Sequence, residues 1–370
     1  MKTVRRLLYR DIVWSVVFVT LAFLSLFFFI DFVDELEGVG RGGYTLGNAA
    51  LRTLLQVPGH FYELFPIAVL IGTIYAMARL AQSSEFTILR TAGLGPGRAL
   101  RLLALPGAIF ALLTFVVGDY VAPVTEREAV AVAADVRGLS LGRGGAWLKE
   151  RRQGRDGERQ ISVNVNAAGG AGKLLGIRIF EQDASGRLRR RIEARSGQVL
   201  ADGQWRLQDV QDTWWPTPTA AQAGTALRQV QLPTLDWPST LDISVVVAAL
   251  LPVQNMSTAD LWRYAHHLAD QDQAVQRHLI QFWKKALYPF ACIVMMALAL
   301  PFAYLHARAG GVSYKVFGGI MLGISFVLLN NASSHLGLLN QWRPWLAASA
   351  PSLLYMFFSM GAFAWLVRYR

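Results

Sequence analysis

The residues with chemistry to offer are few, and they are badly spaced for catalysis. The run GGAGKLL, from Gly169 to Leu175, has the texture of a phosphate loop. A G-x-x-x-x-G-K-[ST] loop would need glycine where Ala167 stands and a hydroxyl where Leu174 stands, so a Gly-rich turn is the better reading. Neither H-E-x-x-H nor G-x-S-x-G occurs. His266 and His267 are adjacent, which on a helix turns them about 100° apart and prevents chelation from one face. Ser333, Ser334 and His335 put a nucleophile near a base, but no third member is evident. The one cysteine, Cys292, lies in an apolar run, which excludes an intrachain disulfide or a Cys-rich metal site. We expect no catalytic residue, no metal and no cofactor bound by this chain.

A different kind of chemistry, recognition, is written in AQSSEFTILRTAGLGPGR, from Ala81 to Arg98. Projected as a helix at about 100° per residue, Glu85 is flanked within roughly 60° by Ile88, Leu89 and Ala92, while Thr87, Arg90 and Thr91 fall on the far side. A helix resting on lipid headgroups would place its acid on the polar face and favour Lys or Arg. An apolar face with a central acid suits a protein groove that supplies a donor. Ser83 or Ser84 can cap the start, and Gly93-Leu94-Gly95-Pro96 stops it. The plainer reading, an amphipathic connector, ranks second.

The elements that must position this stretch are membrane spans. Hydrophobic residues make up 53% of the 370-residue chain, above the share of an ordinary soluble domain, and they come in blocks. Six segments approach the roughly 20 residues a bilayer demands: about 12–34, 61–81, 99–122, 281–305, 314–334 and 345–367. The first has a basic leader but is too long for an ordinary signal-peptide core and lacks a small-residue cleavage site, so it reads as a retained span.

The formal charge of +11 is placed as a topology signal rather than as a nucleic-acid footprint. Lys2, Arg5, Arg6 and Arg10 precede the first span; Arg79, Arg90, Arg98 and Arg101 surround the loop after the second. Arg308 and Lys315 follow the fourth, and Arg368 and Arg370 close the chain. Both termini and the 82–98 loop are therefore expected in the cytoplasm, with a polar block at about 130–255 outside.

That block is strand-rich. QISVNVN, LLGIRIFEQD, RRIEARSGQVL, GQWRLQDVQDTWW, LRQVQL and TLDISVVV are short and separated by turn residues, which suggests an all-β jelly roll or sandwich. From Ser257 to Trp283 the period becomes helical, with Ser257 or Thr258 as N-cap, and this helix is expected to run on into the fourth span. Acids cluster at the outer end of the first span: Asp31, Asp34, Glu35 and Glu37. Interfacial solvation is the plainer reading for them, a polar cavity the functional one. Lys284 and Lys285 either snorkel or meet phosphates of an anionic ligand.

As a set these segments resemble the LptF/LptG family of permease subunits, and within it the LptG branch. The resemblance rests on FVDELEGVGRGGY, LLQVPGHFYELFPIAVLIG, LAQSSEFTILRTAGLG, GDYVAP, QFWKKALYP and GGIMLGISF, in the family's order and spacing across both membrane halves. The β-block matches in position and character more than in residues.

The resemblance implies a membrane α-helical protein of six transmembrane helices with an inserted periplasmic all-β jelly-roll-like domain. Residues 1–129 would hold spans one to three with a coupling helix near 83–94. Residues 130–255 would be the periplasmic domain, and 256–370 a periplasmic helix leading into spans four to six. It implies an inner-membrane subunit of an ATP-driven exporter of lipopolysaccharide. The partners would be an LptF-like permease subunit, an LptB-like ATPase dimer that holds ATP and Mg, and an LptC-like single-span periplasmic protein, with no nucleic acid. Ser84, Glu85, Leu89, Arg90, Ala92 and Gly93 match the ATPase-coupling positions; Arg90 stands where the family often has Gln. Phe29, Asp31, Phe32, Phe65, Phe326 and Leu329 are the lipid-cavity candidates. Where the family carries basic residues this chain has Asp31, Glu37, Val130 and Ala133, so headgroup recognition would fall to Arg41, Lys284, Lys285 or the partner subunit. The competing class is a membrane-anchored periplasmic sensor or ligand-binding protein, which would need a cytoplasmic output domain. A membrane-embedded enzyme built on Ser333, Ser334 and His335 is the third.

Overall fold

The computed structural model describes residues 2–40, 43–82, 95–137, 145–154, 157–168, 173–200, 204–216, 227–239, 241, 246, 253, 256–270, 275–304 and 312–368. The expected coupling helix near 83–94, Arg41 and most of the strand expected in TLDISVVV lie outside the described residues. The chain divides into two units: residues 1–34, 56–125 and 276–370 form one, and residues 35–55 and 126–275 the other. Six helical stretches among the described residues are long and apolar enough to cross a membrane.

These helices outrun the apolar runs that announce them. α1 covers Lys2–Leu36 and α2 Leu46–Gln82. The third stretch is α3, Pro96–Val116, followed by one π-helical turn, Val117–Val121, and α4, Ala122–Arg137. After the sheet come α5, Thr258–Asp270, then α6, Gln276–Tyr304, α7, Val312–Leu339, and α8, Pro344–Arg368. α5 begins as its sequence asks: the Ser257 hydroxyl accepts the Asp260 amide at 3.0 Å.

In the helical unit, small residues set the crossings. α1 buries Leu8, Ile12 and Val16, four apart on one face. A Cβ on Gly72 of α2 would stand 2.7 Å from the Val16 backbone, so α1 and α2 meet there without a side chain between them. The buried seam of α7 is Lys315, Gly319, Gly323, Phe326, Asn330, Ser333 and Gly337, spaced three and four apart. Cβ atoms at Gly319 and Gly323 would fall 2.6 and 2.5 Å from Ile74 and Ile67 of α2. Close backbone approach of this kind is how helices associate where the solvent is itself apolar.

Prolines inside spans leave a carbonyl without its amide, and two of these carbonyls are answered by hydroxyls from another helix. Pro106 cannot donate to Leu102, and the Tyr9 hydroxyl takes that carbonyl at 2.9 Å. Pro351 cannot donate to Ala347, and the Ser333 hydroxyl takes that one at 2.7 Å.

The second unit holds a six-stranded antiparallel sheet paired in chain order, a meander. Its strands are β1, Ala146–Gly154; β2, Gly157–Ala168; β3, Lys173–Gln182; β4, Leu188–Val199; β5, Gln204–Trp214; and β6, Arg228–Pro238. The inserted antiparallel β domain is thus present, in a helical membrane protein. β1 was not foreseen: Glu150 points inward, held by Arg152 at 2.9 Å and Ser239 at 3.1 Å, and that buried acid hides the apolar alternation. A crease crosses the sheet. The ladders skip Asn166, Gly176, Arg195, Asp209 and Pro233, one residue on each of β2 to β6, in a single transverse row. On β3 and β5 the buried positions consequently step by three, from Leu174 to Ile177 and from Leu207 to Val210. Gly176 and Asp209 take positive φ, 62° and 54°, to make that step.

Candidate functional site

Polar groups gather in the helical unit at the level where α1 approaches its turn into α2. Asp31 of α1 and His60 of α2 face each other, Oδ2 to Nε2 at 2.5 Å, each about three-quarters covered. The Phe27 ring lies 5.2 Å from the imidazole and closes one side. This is an acid–base pair tying two helices.

Next to it the π-helical turn has a packing role. A Cβ on Gly118 would strike the Tyr62 ring, so the missing side chain admits that ring against the turn. A residue inserted into the helical ladder re-aims its neighbours, and such turns concentrate at functional places. Tyr62 packs on Tyr288 with centroids 4.8 Å apart, and the Tyr288 hydroxyl donates to the Glu63 carbonyl at 2.6 Å. The Lys285 ammonium lies 5.7 Å from the Tyr62 centroid, within cation–π range. Lys284, one residue earlier on α6, instead donates to Asn331 of α7 at 3.3 Å.

In the other unit, Glu35 accepts from Arg52 at 2.5 Å and from the Tyr44 hydroxyl at 3.0 Å. Asp34 and Glu37 are exposed. The acids of α1 therefore divide: Asp11, Asp31 and Glu35 meet Arg79, His60 and Arg52 of α2, while Asp34, like Glu37 just beyond the helix, is exposed.

The sequence-derived candidates occupy different surroundings. Phe29 is 64% exposed and projects from α1. Phe32 is half-buried and stacked on Phe28. Phe65 is buried edge-on against Phe110, and Phe326 is buried edge-on against Tyr355, so both rings fill the chain's own core. Leu329 packs on the edge of the Phe326 cluster. Lys285 is buried in the helix packing rather than snorkelling, and Lys284 is the more accessible of the pair. Ser333 and Ser334 spend their hydroxyls on the Ala347 and Asn330 carbonyls, which leaves neither aimed at His335.

His60, Arg52, Asn331 and Tyr62 are the participants that sequence reasoning missed. A signal existed for His60. In an antiparallel hairpin, residue numbers rise on one helix as they fall on the other. Val16 with Gly72 and Asp11 with Arg79 fix the alignment that brings Asp31 to His60.

Taken as a surface, α1 is the least covered span: 11% of its apolar window is buried, against 78% for α2. α7 comes next, at 22%. Their outward rows, Trp14, Phe18, Leu21 and Phe29 on α1 and Phe317, Met321, Ile324 and Leu328 on α7, present large apolar groups to whatever surrounds the helices.

Comparison with known proteins agrees with this layout. Residues 6–368 match the family model described as lipopolysaccharide export system permease LptF/LptG. The chain is 26% identical over 353 residues to the lipopolysaccharide export system permease protein LptG of Escherichia coli K12, covering 94% of each chain. It is also 26% identical over 369 residues to the protein of that name from Haemophilus influenzae, covering 96% of each.

Proposed function

The chain belongs to the LptF/LptG family of lipopolysaccharide export permeases, and from that premise we propose that it is the LptG-type transmembrane subunit of an ATP-driven exporter. It sits in the bacterial inner membrane with both termini in the cytoplasm and the inserted β domain, near 130–255, in the periplasm. Lipopolysaccharide is drawn from the outer leaflet between the membrane halves of this chain and an LptF-like partner, then handed to the β domains and an LptC-like protein. The observation that carries this reading is the pair of sparsely covered spans, α1 and α7, whose outward rows are large and apolar while a polar layer lies at one end. An apolar flank beneath polar groups suits a lipid with a charged, sugar-bearing head.

In this reading ATP and Mg are bound by a separate LptB-like ATPase dimer. The segment 83–94 docks there, with Glu85 central and Ser84, Leu89, Arg90, Ala92 and Gly93 around it. Of the two lysine headgroup candidates, Lys284 is the less buried and Lys285 lies against the Tyr62 ring; Arg41 completes the set. Co-purification tests the assembly: the tagged chain should bring down a nucleotide-binding ATPase and a second six-span subunit. Glu85→Lys should lose the ATPase while keeping the second permease subunit. Retention of a fully coupled ATPase by both Glu85→Ala and Glu85→Lys would contradict the docking.

A further inference from the structure

An open groove of about 650 Å³ runs along the N-terminal end of α1, lined by Arg5, Arg6, Tyr9, Arg10 and Trp14, with Leu105 of α3 opposite. Arg5 and Tyr9 form one row on α1; Arg6, Arg10 and Trp14 form the next, each step four residues. From Arg5 to Trp14 a helix rises roughly 13 Å. Over that distance three guanidinium groups give way to an indole and a leucine.

Two contacts build this wall. The Tyr9 hydroxyl is held on the Leu102 carbonyl freed by Pro106, at 2.9 Å, which fixes α1 against α3 beside Leu105. The Arg5 guanidinium lies 6.0 Å from the Tyr9 centroid. Asp11 accepts from Arg79 at 2.9 Å and pairs with Arg10 at 3.8 Å, and among the described residues the groove lining holds three guanidinium groups and no carboxylate, so it stays cationic. Trp14 is 68% exposed, a large ring with little of this chain upon it.

Arginines before a first span ordinarily serve orientation, solvated by water and headgroups. Here they head a groove whose lining turns apolar at Val13, Trp14 and Leu105. Guanidinium groups match phosphate oxygens in geometry and charge, and basic pockets between helices on the cytoplasmic side hold anionic headgroups. We propose that this groove binds an anionic glycerophospholipid of the surrounding bilayer, its phosphate among Arg5, Arg6 and Arg10 and an acyl chain along Trp14 and Leu105. The side of the membrane rests on the topology given above; the binding does not.

The test is retention of lipid by the purified full-length chain, read by native mass spectrometry after equilibration with phosphatidylglycerol or phosphatidylcholine. Phosphatidylglycerol should be retained in preference, and Arg5→Gln/Arg6→Gln/Arg10→Gln should lower its occupancy by roughly fivefold for each arginine in contact. Because that variant also alters the orientation signal, Trp14→Ala, which keeps every charge, is the second. It should lower phosphatidylglycerol occupancy severalfold with helix content unchanged by circular dichroism. Wild-type retention in either variant, or equal retention of the two lipids, overturns the proposal. So does displacement by inorganic phosphate at equal concentration, which would make this a site for a free anion. The measurement involves neither the ATPase nor lipopolysaccharide, so failure here and failure of the export reading are separate results.

Discussion

The hydroxyl of Ser333 on α7 donates to the carbonyl oxygen of Ala347 on α8 at 2.7 Å, and that carbonyl is the one Pro351 leaves without an amide. A proline break is thereby converted into a helix–helix contact, reinforced where Gly337 admits the Ala347 methyl. Ser333→Ala should cost about 0.6–1.7 kcal/mol, the range of hydrogen bonds between membrane helices. In a Pro351→Ala background the carbonyl regains its backbone donor, and the cost of Ser333→Ala should fall close to zero. Unfolding of the four proteins of this cycle in detergent checks it; equal costs in both backgrounds would show that the proline is irrelevant.

Gly72 carries the crossing of α1 on α2. Gly72→Ala should cost about 1–3 kcal/mol, as overpacking does, because the methyl would stand 2.7 Å from the Val16 backbone. Gly361, with nothing within 4 Å of its virtual Cβ, is the control; Gly361→Ala should change stability by no more than about 0.5 kcal/mol. Thermal midpoints in one detergent compare them directly.

The Asp31–His60 pair should behave as a unit. His60→Leu leaves a largely covered carboxylate without its partner and should reduce both stability and lipid transport, and Asp31→Leu should do likewise. The exchange Asp31→His with His60→Asp restores an acid facing a base across the same gap. It should recover most of the loss. No recovery in a reconstituted transport assay would mean that the individual side chains, not their pairing, are what matters.

The turn between β3 and β4 carries a pH dependence. Asp183 is held down to about 2, first by the Ser185 hydroxyl, then by the Arg187 amide and the Arg189 side chain, against an ordinary value of 3.8. A carboxylate lowered in the folded state favours folding above its unfolded value, and the benefit disappears as pH falls through the folded one. Wild-type amide protection at Ser185 and Arg187 should therefore exceed that of Asp183→Asn above about pH 4 and converge with it near pH 2. A constant gap across that window would contradict this.

Much of the architecture was legible because two signals were strong: apolar runs of span length, and short strands bounded by Gly and Asp. Helix ends were not, because hydropathy records where lipid is while the helix continues through polar residues. α2 starts at Leu46, well before its apolar run, and passes through Arg52, Pro58 and His60. Strand β1 was missed because Glu150 occupies an inward position. The crease was invisible because one unpaired residue on each of several neighbouring strands leaves each strand looking merely irregular. At the site, sequence identified the acids of α1 but not their partners, since Glu35–Arg52 and Asp31–His60 depend on hairpin alignment. Phe65 and Phe326 show a second gap: an aromatic in a span says nothing about which way it faces, and both are buried within this chain.

The most direct measurement of the export reading is photo-crosslinking from the flank of α1. A benzoylphenylalanine replacing Phe29, exposed on α1, should capture lipopolysaccharide in membranes containing the assembled exporter, and capture should change when ATP is supplied. The same probe at Leu346, exposed near the start of α8, should capture little. Equal capture at both positions, or none at Phe29, would contradict the account.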